Sequence, residues 1–228
     1  RKSTSGDYNI AIGPNSMYSN TSGSSNIAFG NSALYSNTEG VINIAIGHSA
    51  LYSNTTGFYN AAYGQYALRM NTTGLYNTGL GAYALEGNST GDYNTATGFE
   101  ALRTNQGSYN TAAGGKALHL NTTGGGNTSL GYYSLYNNTT GGSNTALGFN
   151  AGDVITTGSN NTIIGYGADP SANSASNQTV IGKGATGQAD NSVTLGNGDV
   201  TAVYMAQDSG ATVYAGGLNL GGTAVSSN

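Results

Sequence analysis

The sequence predicts an all-β chain wound as a parallel β-solenoid of 17-residue coils, and three observations carry that expectation. First, a unit N-[IT]-A-[IL]-G-x-x-A-L-x-x-N-T-T-G-x-x recurs through most of the chain. Its lead asparagines are Asn9, Asn26, Asn43, Asn60, Asn77, Asn94, Asn110, Asn127, Asn144 and Asn161, always 17 apart except for one 16-residue step between Asn94 and Asn110. A fixed period this short makes each repeat one coil stacked on its neighbours. Second, counting the lead Asn as position 1, glycine stands at position 5 of every coil and again at position 15, as in Gly47 and Gly57. Third, short runs of alternating apolar residues lie between these glycines, as strands require.

Each position then has a physical reading. The glycines mark corners, where the backbone needs φ > 0 or a close approach. Positions 2 to 4 read Ile10-Ala11-Ile12, Ile27-Ala28-Phe29, later Thr78-Gly79-Leu80 and Thr145-Ala146-Leu147. Alternation puts positions 2 and 4 on one face and position 3 on the other. Position 3 stays small until Ile163 and Val180, so its surroundings are cramped. Positions 8 and 9 form a second short run, Ala-Leu, and the leucine ladder Leu34, Leu51, Leu68, Leu85, Leu102, Leu118 and Leu135 is the predicted coil interior. Four or five modest apolar side chains per coil, each contributing about 1.5–3 kcal/mol, do not offset a backbone ordering cost of about 1–2 kcal/mol per residue. Single coils are therefore unstable. Stacking helps, and the second apolar face at positions 2 and 4 points to an oligomer, a parallel homotrimer.

Position 12 carries a second asparagine ladder, Asn20, Asn37, Asn54, Asn71, Asn88, Asn105, Asn121 and Asn138. Stacked amides can bond up such a column, and asparagine suits turns. Asn54-Thr55-Thr56, Asn71-Thr72-Thr73 and Asn121-Thr122-Thr123 also fit the glycosylation sequon, which an Asn-Thr-Thr-Gly turn generates automatically. Positions 6, 7, 10 and 11 vary freely, as in His48, Tyr66, Glu86 and Lys116, and read as solvent-facing. Tyrosines recur at position 17, where Tyr59, Tyr76, Tyr93 and Tyr109 are candidate surface contacts able to stack on sugar rings or to shield the coil edge.

The unit decays after Asn161 and shortens to a 14-residue step between Gly182 and Gly196. The expected organisation is a lead-in over 1–8, a solenoid over 9–196, and a C-terminal segment of strands and glycine turns over 197–228, at 199–204, 211–215 and 218–220. Here a resemblance becomes specific. Thr179-Val180-Ile181-Gly182 and Ser192-Val193-Thr194-Leu195-Gly196 resemble the head repeats of trimeric autotransporter adhesins, and the 17-residue unit is similar to repeats of phage tail-fibre proteins. The segment from Val193 to Met205 resembles what precedes an intramolecular chaperone domain in such fibres. The resemblance covers nearly the whole chain and implies a left-handed, homotrimeric β-roll on a virion or cell surface. The chaperone domain's self-cleaving residues do not match anything in this sequence.

Composition narrows the partners. The 228 residues include 38 glycines, no cysteine and only 7% charged residues, with a net charge of −4. A neutral Asn/Thr/Ser/Tyr surface suits an extracellular fibre. Six scattered basic residues argue against nucleic acid. No window approaches the roughly 18 apolar residues of a membrane span, no signal peptide is visible, and the chain opens almost directly on a repeat. His48 and His119 fall at different coil positions, as do Glu39, Glu86, Asp92, Glu100 and Asp153, so register pairs no carboxylates. No phosphate-binding, dinucleotide or calcium-roll motif is present. The expectation is no enzyme and no cofactor.

The leading functional expectation is a structural and adhesive shaft: a homotrimer, extended end to end into a filament, attaching to a host-surface glycan or protein. An ice-binding solenoid is the alternative, with Thr55-Thr56, Thr72-Thr73 and Thr122-Thr123 as its threonines. A polysaccharide-binding or -degrading fibre is the third reading.

Overall fold

A computed structural model describes residues 5–201 and 203. The chain divides into a unit Arg1–Gly198 and a second unit Asp199–Asn228. The strands expected at 211–215 and 218–220 lie outside the described residues, as do Ala202, Tyr204 and residues 1–4 of the lead-in; of the run expected at 199–204, the described residues 199–201 and 203 form no strand.

The first unit is the predicted solenoid. Its strands are β1 (Ile10–Ile12), β2 (Ile27–Phe29), β3 (Ile44–Ile46), β4 (Ala61–Tyr63), β5 (Thr78–Leu80) and β6 (Thr95–Thr97). They continue as β7 (Thr111–Ala113), β8 (Thr128–Leu130), β9 (Thr145–Leu147), β10 (Thr162–Ile164), β11 (Thr179–Ile181) and β12 (Val193–Leu195). Each occupies positions 2–4 of its coil, and all 12 pair in chain order in one parallel sheet. Register survives the shortened coils, with Ala96 opposite Ala112 and Val180 opposite Thr194. In the 16-residue coil the Gln106 side chain fills the missing place, accepting from Ser89 N–H at 3.1 Å and donating to the Gly87 carbonyl.

Position 3 points inward and is buried in Ala28, Ala45, Ala62, Ala96, Ala112, Ala146, Ile163 and Val180. It packs with the Ala and Leu of positions 8 and 9 into one continuous core. Leu34, Leu51, Leu68, Leu85, Leu102, Leu118 and Leu135 are all fully buried, as the repeat predicts.

The backbone around these leucines differs from the expected extended run. Every ladder leucine sits in the left-handed region, at φ 50° to 54°. So do position 7 (Tyr66 60°, Glu100 57°) and position 17 (Tyr59 56°, Ile42 55°). A non-glycine residue there costs about 1–2 kcal/mol. The compensation is directional, because each of these residues aims its N–H at a neighbouring coil. Leu85 N–H bonds the Ala101 carbonyl at 3.0 Å, Tyr66 N–H the His48 carbonyl at 2.9 Å, and Tyr59 N–H the Val41 carbonyl at 3.2 Å. Turn segments outside the sheet thus keep their amides paired along the stack.

The two glycine positions serve different ends. Gly47 at position 5 has φ 135°, and a Cβ there would lie 2.5 Å from the Gly64 carbonyl oxygen. Gly40 at position 15 needs no unusual φ; its Cβ would come within 2.5 Å of the Gly57 oxygen and closer still to Asn37 Oδ1.

The ladder geometry makes a counter-intuitive prediction. Leu85→Ala opens a cavity and lowers the unfolding free energy by about 2–5 kcal/mol. Leu85→Gly removes the same side chain and also relieves the left-handed strain, so it destabilises no more than the alanine variant in denaturant titrations. In an ordinary helix or strand glycine would be the worse by about 0.5–1 kcal/mol, and that ordering here would contradict the strain account.

Candidate functional site

The predicted asparagine ladder is an interior feature. Asn20, Asn37, Asn54, Asn71, Asn88, Asn105, Asn121 and Asn138 are buried. Asn37 Nδ2 donates to Asn20 Oδ1 at 2.8 Å and to the Gly40 carbonyl at 3.0 Å. The lead asparagines form a second buried ladder: Asn43 N–H donates to Asn26 Oδ1 at 2.8 Å. Both columns converge on position 15, where the Gly57 carbonyl accepts from Asn43 Nδ2 at 2.8 Å and Asn54 Nδ2 at 3.0 Å. Asn54, Asn71 and Asn121 therefore offer no nitrogen to a glycan in the folded coil, which removes the glycosylation reading of their sequons.

The interior changes at the ninth coil. Gly152 replaces the ladder leucine and Ile155 the ladder asparagine; Ile155 and Ile163 fill the leucine's space. Without a following amide, Asn138 Oδ1 is buried without a hydrogen-bond partner. In the next coil Asp169 takes the leucine position, and its Oδ1 is likewise buried and unpaired. Burial, then the nearby Asp153 charge, pushes the Asp169 carboxyl up to about 6, while Val154 N–H opposes the shift. Burial also raises Asp153.

The variable positions 7 and 10 are not simply solvent-facing. The left-handed turns bring them together along one edge, where Glu86 (15% exposed) and Glu100 (12%) are well covered. Arg103 Nε meets Glu86 at 2.8 Å and its Nη1 meets Glu100 at 2.8 Å. Arg69 reaches Glu86 at 3.8 Å and Lys116 reaches Glu100 at 3.6 Å. Thus two carboxylates that register separates are joined through one guanidinium. The Glu86 hydrogen bond holds Arg103 above its ordinary value. Lys116 is raised chiefly by its bond to Tyr133. Burial lowers the His119 imidazole, so its 3.7 Å approach to Glu100 is not an ion pair at neutral pH; the ring stacks on Tyr136 at 5.2 Å. Met70, Glu86, Gly87, Arg103, Thr104 and His119 line an open cleft of about 300 Å³. Both carboxylates are committed to cations, which leaves neither as a free base.

Tyr59, Tyr76, Tyr93 and Tyr109 form one stacked column, with centroids 5.0, 4.8 and 5.3 Å apart and ring planes within 8°. Tyr18, Tyr35 and Tyr52 form another at position 10. Within a column the ring faces are occupied by one another, so the expected sugar contacts are confined to ring edges and to a column's end.

The outward sheet face is covered by no other element among the described residues. Its position-4 column exposes Ile12, Phe29, Leu80, Leu130, Leu147, Ile181 and Leu195, each by 38–53%. Beside it, position 2 carries threonine in seven successive strands, Thr78, Thr95, Thr111, Thr128, Thr145, Thr162 and Thr179. Among the described residues no group of three or more His, Asp or Glu side chains is placed to hold a metal ion, and no helix is long and apolar enough to cross a membrane. No family model, no curated protein and no solved structure matches the chain.

The Asp169 site gives a pH-dependent prediction. Its folded value near 6 exceeds the ordinary 3.8, so the native state holds a proton that the unfolded state releases, and stability falls as pH rises through that window. Asp169→Asn removes this dependence. Allowing for partial solvent screening, it stabilises by about 1 kcal/mol above pH 6, or about 2–4 °C in Tm. The gain disappears below pH ~4 in parallel thermal melts.

Proposed function

We propose that the chain is the shaft of an extracellular attachment fibre, on a virion or cell surface, in which three copies pack their outward sheet faces in register. One observation carries this reading: the position-4 column, apolar in every strand but the sixth, where Thr97 stands, runs the length of the solenoid, eleven strand steps of about 4.8 Å, with no covering element among the described residues. A strip roughly 50 Å long is a contiguous exposed patch, and the largest apolar patch of a monomer is often functional. A partner filling it must present side chains at the same spacing over the same distance. Another copy of this chain does so. The neutral polar remainder of the surface and the resemblance to tail-fibre and adhesin repeats support the extracellular setting and the number three. End-to-end addition of coils would lengthen the shaft, and a host-surface glycan or protein is its target.

The threonine column favours a second reading, an ice-binding face. Its seven threonines lie on the parallel sheet, unlike the corner threonines that the sequence puts forward. In the fibre that face is buried between copies, so the two readings separate cleanly.

Light scattering on the intact chain tests both. The expected mass is three times 22.9 kDa, falling to that of a monomer in Leu130→Lys/Leu147→Lys, whose exposed positions leave the coil itself undisturbed. A monomer at all concentrations contradicts the fibre, and thermal hysteresis from that monomer would install the ice-binding reading instead.

A further inference from the structure

The position-17 tyrosine column stops abruptly. Above Tyr109 the next coil carries Gly126, also left-handed at φ 71°, and the coil after that Ser143 at φ 57°. Tyr109 is 66% exposed, against 41–49% for Tyr59, Tyr76 and Tyr93. Its lower face is covered by Tyr93. Its upper face meets no ring.

A comparison within the molecule shows that this opening is not filled by rearrangement. At position 6, Gly115 likewise interrupts an aromatic column, and there Tyr132 swings over the gap: a Cβ on Gly115 would lie 3.0 and 3.1 Å from the Tyr132 ring. A Cβ on Gly126 would meet nothing closer than Ser143 Oγ, at 3.6 Å, and no ring atom is among its three nearest neighbours. The place of one ring stays open between Tyr109 and Ser143, two coil steps or about 10 Å apart.

The surroundings of that place are polar. In neighbouring coils the position-16 N–H donates to the side chain one coil above: Leu75 N–H to Asp92 Oδ1 at 2.8 Å and Asp92 N–H to Ser108 Oγ at 3.0 Å. Above Gly125 stands Gly142, which has no side chain to accept. The Gly125 N–H, beside the open ring position, therefore keeps its bonding capacity, and the exposed Ser143 hydroxyl borders that position.

We propose that Tyr109, Gly125, Gly126 and Ser143 form a seat for one pyranose ring of a glycan. The sugar's C–H face lies on the open phenol face, as an amphipathic ring requires, and its hydroxyls meet the Gly125 N–H and Ser143 Oγ. A flat apolar aromatic would cover the same phenol but leave both polar groups unsatisfied, which favours the sugar. The inference deepens the attachment reading by naming its ligand, and rests on this edge remaining outside the packed sheet faces.

The test is site-resolved NMR on the full chain with labelled tyrosine rings and glycine amides, titrated with methyl glucoside, methyl galactoside and methyl N-acetylglucosaminide. The expected result is saturable shifts at Tyr109, Gly125 and Gly126 with a Kd on the order of 1 mM for at least one pyranoside, and none at Tyr35 or Tyr76. Tyr109→Ala removes the platform and weakens binding about 3- to 10-fold. Gly126→Tyr extends the column in a conformation that tyrosine already adopts at Tyr109 (φ 63°), covers the face and abolishes the shifts without unfolding the chain. Absence of saturable shifts with all three sugars, shifts that survive Gly126→Tyr, or binding of p-cresol in place of every pyranoside would each overturn the seat. A monomer that still shows the shifts would overturn the fibre and leave the seat standing.

Discussion

Each side chain in this solenoid stands about 4.8 Å above its own counterpart in the next coil, and that self-stacking constraint governs what every position can hold. Leucine over leucine packs without a gap. Asparagine over asparagine donates and accepts at once, as Asn37, Asn54 and Asn71 do through bonds of 2.8 to 2.9 Å. Tyrosine over tyrosine stacks. Like charges repel, and the chain carries few charges; where they occur, position 10 alternates sign through Arg69, Glu86 and Arg103.

The same constraint accounts for the strain and its tolerance. In most coils three non-glycine residues lie in the left-handed region, an arrangement unfavourable for any single coil. Each such residue orients an amide along the stack, so the bond that compensates it comes from a neighbour. Stability therefore resides between coils, and local propensity is overruled. Where the pattern breaks, volume is conserved by exchange: Gly152 with Ile155 and Ile163 replaces leucine with asparagine and alanine. The residual cost appears in polar atoms left without a rung above, at Asn138 and Asp169.

Much of this was legible in the residues. The period, the inward position 3, the leucine and asparagine columns and the parallel register all follow from repetition and alternation. The left-handed turns were not legible, because Leu, Tyr and Glu carry no preference for that region and nothing in their spacing reports it. Missing those turns hid the edge on which positions 7 and 10 meet, and so the grouping of Glu86, Glu100, Arg103, Lys116 and His119. Spacing located the tyrosine column but not its ring orientation, which leaves Tyr109 alone with an open face. The threonine column of the sheet was visible in the repeat as well, on the face that alternation sets opposite the inward position 3.

In the proposed fibre, function divides between the two kinds of surface. The sheet face offers length and a repeating apolar strip, suited to a partner of equal period. The edges offer local departures from the repeat, which alone can be specific. Buried amide ladders bind coil to coil wherever the asparagine columns run. Hydrogen exchange of the asparagine side-chain amides measures this most directly. The account predicts strong protection of Nδ2 protons from Asn26 through Asn121, slowest in the middle coils; exchange at the rate of free asparagine would contradict it.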